Sequence, residues 1–409
     1  MADSAAFLQD RSRSCHRSQL ALFLALALLL VIQLPTVRVA PASFFVLLST
    51  IPGVPAGPIS ALLGTPRVQT FTVKGAEGAI VSDLYLPPGG GRHPGIFIVN
   101  GLLPQGRKYP PLVEFAKMLA RTGYVVLVPD FPDLLREELT PASFTDVRSM
   151  LRRFETMPQV RPGDIDYVGF CVGATLGLLA LERSPAPPIR ALADLAGYAS
   201  NASMIQLITT NTYTYHGRLY HYKTDPWVVV VVARSLVALL PTASDKTVFQ
   251  PFLHDPSPSH YVAPNWYRVP KERLSPGGRA LLRLLQNRDP SRVAALIAAL
   301  PAPMPRLLAS LSPEIHLSHL HTPVFIVADH SDTYIPNAES LKLRERAPMW
   351  IHVSYVSILS HVEPALQAQS NLWSTITDIA GGIWTLYLQI DNLLALLHTP
   401  PHYSAAATS

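Results

Sequence analysis

Cysteine is scarce: the 409 residues hold two, Cys15 and Cys171. Two such thiols cannot build a disulfide framework, and no Cys/His pair has zinc-ligand spacing, so no metal or other cofactor is expected. Charge is also sparse. Only 15% of residues are Asp, Glu, Lys or Arg, against roughly 25% in ordinary soluble domains. The net charge of +5 is modest. Its basic residues are scattered rather than set in an aromatic-interleaved stripe, which argues against a nucleic-acid partner. What the chain has instead is apolar residues, 48% of the total, and 39 prolines. The prolines fall mostly between periodic segments, as in stiff loops rather than disordered ones.

Residues 1–19 are polar and carry Arg11, Arg13 and Arg17, and Leu20 to Leu34 is almost wholly apolar. A basic segment before an apolar run is the plan of a signal peptide or signal anchor. A second apolar stretch, Ala42 to Ile51, follows Pro35, Arg38 and Pro41. Residues 20–51 are therefore expected to be a membrane anchor or signal region, with membrane lipid as a partner. The arginines favour an inside N-terminus, which with a single span puts the rest of the chain outside the cytoplasm. A hairpin, a cleaved signal and a buried helix of a soluble protein are the alternatives. Residues 52–66 read as a Pro/Gly-rich linker.

From Arg67 onward the pattern changes. Val68–Lys74 and Ala79–Leu86 alternate as a half-buried hairpin would. Gly95–Asn100, Tyr124–Val128, Ile165–Phe170, Ile189–Leu195 and Pro323–Ala328 are continuous apolar runs, separated by helical patterns such as Tyr109–Thr122 and Thr140–Met157. Strands apolar throughout and alternating with helices predict a mostly parallel sheet covered on both faces. The alternation stops over residues 199–321, too long for a loop, which predicts a mainly helical cap insertion. That cap includes the apolar run Trp227–Leu240. The last strand is expected over Trp350–Ile358, followed by a helical region split at Gly381-Gly382. The predicted core is thus residues 67–198 and 322–400.

Between the strand at Ile165–Phe170 and the helix after it stands Gly169-Phe170-Cys171-Val172-Gly173. A sharp strand-to-helix turn presents one side chain at the top of a sheet, and glycines at its two ends relieve backbone crowding. The side chain presented is a thiol at a helix N-terminus, where the helix dipole favours thiolate. The plainer reading is a buried cysteine that fills space. Asp332 and His361 also follow predicted strands, in the order nucleophile, acid, base. Ligands in open α/β sheets bind at such strand ends.

With these residues in place, the chain from about Arg67 to His361 resembles an α/β hydrolase, closest to the dienelactone-hydrolase-like group, whose elbow reads Gly-x-Cys-x-Gly. Asp332-Thr333-Tyr334-Ile335-Pro336 is similar to that fold's acid loop. The resemblance implies a Cys171–His361–Asp332 triad, with the backbone N–H groups of Leu102 and Val172 as oxyanion hole. Asn100 departs from the histidine usual in the Asn100-Gly101-Leu102 turn. The loop Leu102–Gly106 lacks the glutamate that controls the resting thiol in dienelactone hydrolases, and no arginine for a substrate carboxylate can be placed. Asp329 remains an alternative acid, Asp130 a residue that orients the site or caps a turn, and His316, His319 and His321 a weak metal alternative.

The expected activity is hydrolysis of an ester, thioester or lactone through an acyl-thioenzyme, on a hydrophobic small-molecule acyl substrate. Two alternatives stay open. Acyl transfer would use the same cysteine, as polyhydroxyalkanoate synthases do, and a non-catalytic membrane-anchored binding protein would keep only the fold. The oligomeric state is not legible.

Overall fold

The computed structural model describes residues 35–50, 63–183, 186–253, 262–356, 359–364 and 372–397. The apolar run Leu20–Leu34 and residues 52–62 of the linker lie outside the described residues.

The body is one eight-stranded sheet. Its strands are β1 (Arg67–Lys74), β2 (Ala79–Leu86), β3 (His93–Val99), β4 (Val125–Asp130), β5 (Val160–Phe170) and β6 (Leu192–Leu195), completed after the cap by β9 (Val324–Asp329) and β10 (Ile351–Val356). They lie in the order β1-β2-β4-β3-β5-β6-β9-β10. β2 pairs antiparallel with both its neighbours, and from β4 onward all pairs are parallel. This strand order, with its crossover at β3/β4, is the α/β-hydrolase fold. β5 begins five residues earlier than its apolar run, because Val160 already pairs with His93 across an irregular register.

Both faces of the sheet are buried, so the period-2 alternation within each strand sorts residues between two cores rather than between core and water. Phe97, Val99, Val125 and Leu127 face one core. Val147 and Leu151 of α4 (Pro141–Glu155), Leu176 and Leu179 of α5 (Val172–Glu182) and the cap fill it. Ile96, Ile98, Val126 and Val128 face the other. There they meet Leu112 and Leu119 of α2 (Pro110–Arg121), Val39 and Val46 of α1 (Pro35–Thr50), and Leu393 and Leu394 of α13 (Leu372–Leu396). α4 starts at a capping box in which Thr140 and Ser143 satisfy each other's backbone N–H.

The cap lies between β6 and β9. It holds α6 (Asn201–Thr210), α7 (Pro226–Ala238), α8 (Ala243–Phe249), α9 (Pro276–Leu285), α10 (Val293–Ala298) and α11 (Met304–Ser310). It also holds a hairpin, β7 (Thr212–Tyr215) with β8 (Arg218–His221), that the helical expectation missed. Its signal was present: Tyr213 and Tyr220 stack at 5.2 Å on either side of the two-residue turn His216–Gly217.

One further expectation needs correction. Gly381-Gly382 does not split the C-terminal helix, which runs unbroken from Leu372 to Leu396. Glycine inside a helix costs about 1 kcal/mol each, and burial of Leu393, Leu394 and Ala395 against the sheet offsets it. Residues 35–50, inside the expected membrane anchor or signal region 20–51, form a 16-residue helix lying on α2 and α13. Ser43 there donates a buried 2.9 Å hydrogen bond to Asp391 of α13. Among the described residues no helix is long and apolar enough to cross a membrane.

The α1–α13 pair is therefore part of the core. Leu394→Ala, at a fully buried position, is expected to cost about 2–5 kcal/mol in urea unfolding. A loss below about 1 kcal/mol would show that the pair is only loosely attached.

Candidate active site

The elbow holds Cys171 at φ 53° and ψ −125°, a conformation costly for any residue with a Cβ. Neighbouring backbone enforces it. A Cβ on Gly173 would stand 2.3 Å from the Val99 carbonyl oxygen, and one on Gly169 would stand 2.3 Å from Ala174 Cα. Without side chains at those two points, the first turn of α5 settles onto the end of β3. The Cys171 N–H donates to the Leu195 carbonyl at 2.8 Å, which ties the turn to β6. Tyr167 of β5 donates to the Gly173 carbonyl at 2.7 Å.

The turn after β3 is equally close. A Cβ on Gly101 would lie 3.0 Å from Cys171 Cβ, so this loop stands against the nucleophile. Asn100 Oδ1 accepts from the Gly101 N–H at 2.9 Å. Asp130, at the end of β4, accepts from the Arg107 backbone N–H at 2.6 Å and from the Arg107 guanidinium. Arg107 also pairs with Asp83 at 3.2 Å. Asp130 thus fixes the far end of the Gly101–Tyr109 loop, and a Cβ on Gly106 would collide with its carboxylate. Composition gave no hint of this network; the one cue was an acid at the end of a strand. Among the described residues, the Leu102 and Val172 N–H groups make no hydrogen bond within the protein.

Asp332 lies in the loop after β9 and His361 in the tight turn between the two-residue strands β11 (Leu359–Ser360) and β12 (Glu363–Pro364). His361 too has a positive φ, 59°. Its Nδ1 is 2.8 Å from Asp332 Oδ2. Asp332 Oδ1 accepts from the Tyr334 and Ile335 N–H groups at 2.7 and 3.1 Å. Tyr222 of the cap donates to the Asp332 carbonyl. The carboxylate is therefore held on both oxygens, and one of them is aimed at the imidazole. Cys171, Asp332 and His361 are each 7–8% exposed.

The His361 Nε2 side is buried without a conventional hydrogen-bond partner among the described residues. Cys171 nevertheless lies close enough for its charge to act on the ring. Burial, the largest influence, disfavours the charged imidazole. The Cys171 charge, the Asp332 hydrogen bond and the Asp332 charge together outweigh it and raise the pKa to about 10.

Asp329 Oδ1 accepts from the Ser331 N–H and hydroxyl, and its carboxylate makes no bond to the His361 ring. Among the described residues no group of three His, Cys, Asp or Glu side chains could hold a metal.

A cavity opens beside Cys171, lined on the core side by Leu102, Val172 and Ile335, and roofed by α7 and α11. Tyr334 stands at its edge, its ring 4.7 Å from that of His361 and 5.2 Å from that of Trp227. α7 is strapped to the core. Glu137 accepts from Trp227 Nε1 at 3.1 Å and from the Arg234 guanidinium, and the Leu139 N–H donates to Ser235 Oγ at 3.0 Å.

No protein-family model matches the sequence, and no curated protein matches it. Several solved structures are similar to it in fold. An α/β hydrolase from Penicillium sp. sh18, GrgF, is 13% identical, with 80% of this chain and 99% of that one covered and a TM-score of 0.47. Pyrococcus horikoshii acylaminoacyl peptidase is 13% identical, with 84% and 43% covered and a TM-score of 0.46. A 2,6-dihydroxy-pseudo-oxynicotine hydrolase is 13% identical, with 81% and 69% covered and a TM-score of 0.42. The chain spans less than half the length of the acylaminoacyl peptidases it resembles. The fold assignment rests on the strand order itself.

Two predictions follow from the site's geometry. Because the Cys171 charge helps to hold the His361 proton, Cys171→Ala should move the His361 midpoint downward in an NMR titration. An unchanged midpoint would mean that the two groups do not interact. His361 is raised above its ordinary value near 6.5. Its contribution to stability is thus full below about pH 6.5 and is lost as pH rises through the folded value of about 10. Urea midpoints of the wild type, relative to those of His361→Ala, should decline across that window.

Proposed function

We propose that the protein is a hydrolase of ester, thioester or lactone bonds with Cys171 as nucleophile. The observation that carries the reading is the joint placement of three buried groups. A strained elbow cysteine stands near enough to act by its charge on an imidazole whose Nδ1 is held by a carboxylate, itself fixed on both oxygens.

Each atom then has a role. His361 Nε2 holds the proton given up by Cys171, and the Cys171 thiolate attacks the acyl carbonyl carbon. The carbonyl oxygen becomes an oxyanion and accepts hydrogen bonds from the Leu102 and Val172 N–H groups. One such donor is worth roughly 2.7–4 kcal/mol in the transition state. Collapse of the tetrahedral intermediate breaks the bond to the leaving alkoxide or thiolate, which His361 protonates. Water then attacks the acyl-thioenzyme, His361 Nε2 takes a water proton, and the free acid departs as Cys171 leaves as thiolate beside the protonated His361. Asp332 stays ionised throughout, holding the Nδ1–H tautomer and stabilising the imidazolium.

The substrate side of the cavity suits an apolar, uncharged acyl group, because no charged side chain lines it. This separates the proposed substrate from carboxylate-bearing dienelactones. We also propose that the chain is held at a membrane through Leu20–Leu34, with its catalytic part outside the cytoplasm. The basic-then-apolar order of residues 11–34 supports this, and fractionation of the tagged protein with and without residues 1–34 tests it.

The same dry cavity favours a second reading, acyl transfer to an alcohol or amine. A labelled acyl thioester separates the two: free acid as sole product supports hydrolysis, and a labelled ester or amide supports transfer. In either case Asp332→Asn should lower kcat by about 10²- to 10⁴-fold with the fold intact. Retention of full activity in that variant would remove Asp332 from the chemistry.

A further inference from the structure

The cavity beside Cys171 is elongated. Trp227, Val228, Val231, Val232, Ser235, Leu236 and Leu239 of the α7 segment all line it. At 1.5 Å rise per residue, Trp227 to Leu239 spans about 18 Å. One end is fixed at the catalytic groups, because Trp227 packs on Tyr334 and Tyr334 on His361. The other end lies under Leu239, with Leu308 and Leu311 of the α11 region among the remaining lining residues.

The few polar groups on its walls are already bonded within the protein. The Ser235 hydroxyl donates to the Val231 carbonyl and accepts from the Leu139 N–H. Asn201 Nδ2 donates to the Leu308 and Leu311 carbonyls, and the Tyr198 hydroxyl also donates to Leu311. A wall with no charge and so few open polar valences offers water little and a hydrocarbon much. A compact acyl group would leave most of this length empty.

We infer that the cavity is a site for a long unbranched acyl chain, threaded along α7 away from Cys171, and that Val231, Val232 and Leu239 set the chain length accepted. This rests on the proposed acyl chemistry for its orientation, with the carbonyl at Cys171, but not for the existence of the site. The straps from Glu137 and Leu139 hold α7 against the core at Trp227, Arg234 and Ser235, so the helix acts as a fixed wall against which length is measured. Each methylene withdrawn from water contributes about 0.8 kcal/mol, roughly fourfold in affinity. Chain-length discrimination should therefore be steep until the chain meets the distal end.

The test uses the full-length protein carrying Cys171→Ala, so that binding is read without turnover. A fluorescent polyene fatty acid is titrated in and displaced by butyrate, octanoate, dodecanoate and palmitate below their micellar concentrations. Saturable binding, with displacement strengthening about 100-fold or more at each four-carbon step up to dodecanoate and weakening at least tenfold for dodecanoate after Val232→Phe, is the expected result. Leu308→Ala, which enlarges the opposite wall, should leave dodecanoate bound and guards against misfolding by the larger side chain. Absence of saturable binding, or displacement independent of both chain length and Val232→Phe in folded protein, would overturn the inference. In the enzyme with Cys171 intact, Val232→Phe should lower the dodecanoyl-to-butyryl ratio of kcat/KM at least tenfold. Binding that persists while Cys171 performs no acyl chemistry would support the site and overturn only the hydrolase reading.

Discussion

The close approach of the first turn of α5 to the end of β3 is the contact on which the rest depends. It exists because Gly169 and Gly173 carry no Cβ where Ala174 Cα and the Val99 carbonyl stand 2.3 Å away. That approach forces Cys171 into a backbone conformation it would not otherwise adopt. Val172, the next residue, lines the same cavity as Leu102. The sheet over-determines this strain from both sides, through the Leu195 carbonyl on β6 and Tyr167 on β5. An elbow held so firmly can keep a thiol in place with little reorganisation when charge develops.

Around it, two further loops are fixed by charge. Asp130 and Arg107 hold the turn after β3, while Asp332 is locked by the Tyr334 and Ile335 N–H groups before it meets His361. The cap adds the apolar half of the site. Its helix α7 is pinned to the core through Glu137, which itself adopts a positive φ. A polar catalytic rim and an apolar-walled cavity are thereby built from different parts of the chain and joined at Tyr334, which touches both His361 and Trp227.

Much of this was legible in the residues. Continuous apolar runs alternating with helices can bury both sheet faces in only a few ways, so the parallel sheet followed from the pattern. Gly169 and Gly173 flanking Cys171 marked the elbow because the steric reason for glycine is local. Asp332 and His361 stood out by falling just beyond strand ends. Other features were hidden because their causes are tertiary. The α1 sequence has the same apolar character in lipid or against α2 and α13, and its Ser43 meets a partner 348 residues away. Gly381-Gly382 reads as a break until the burial of Leu393 and Leu394 is known. The roles of Arg107 and Glu137 depend on partners 23 and 97 residues away, which no local pattern reveals.

The central claim is that an acyl group passes through covalent attachment to Cys171. Mass spectrometry of protein quenched in acid within the first turnovers of an acyl thioester tests it most directly. The account predicts a single acyl mass increment on the peptide containing Cys171, removed by hydroxylamine and absent in Cys171→Ala. Turnover of the thioester by folded protein with no increment on that peptide, or with undiminished rate in Cys171→Ala, would contradict it.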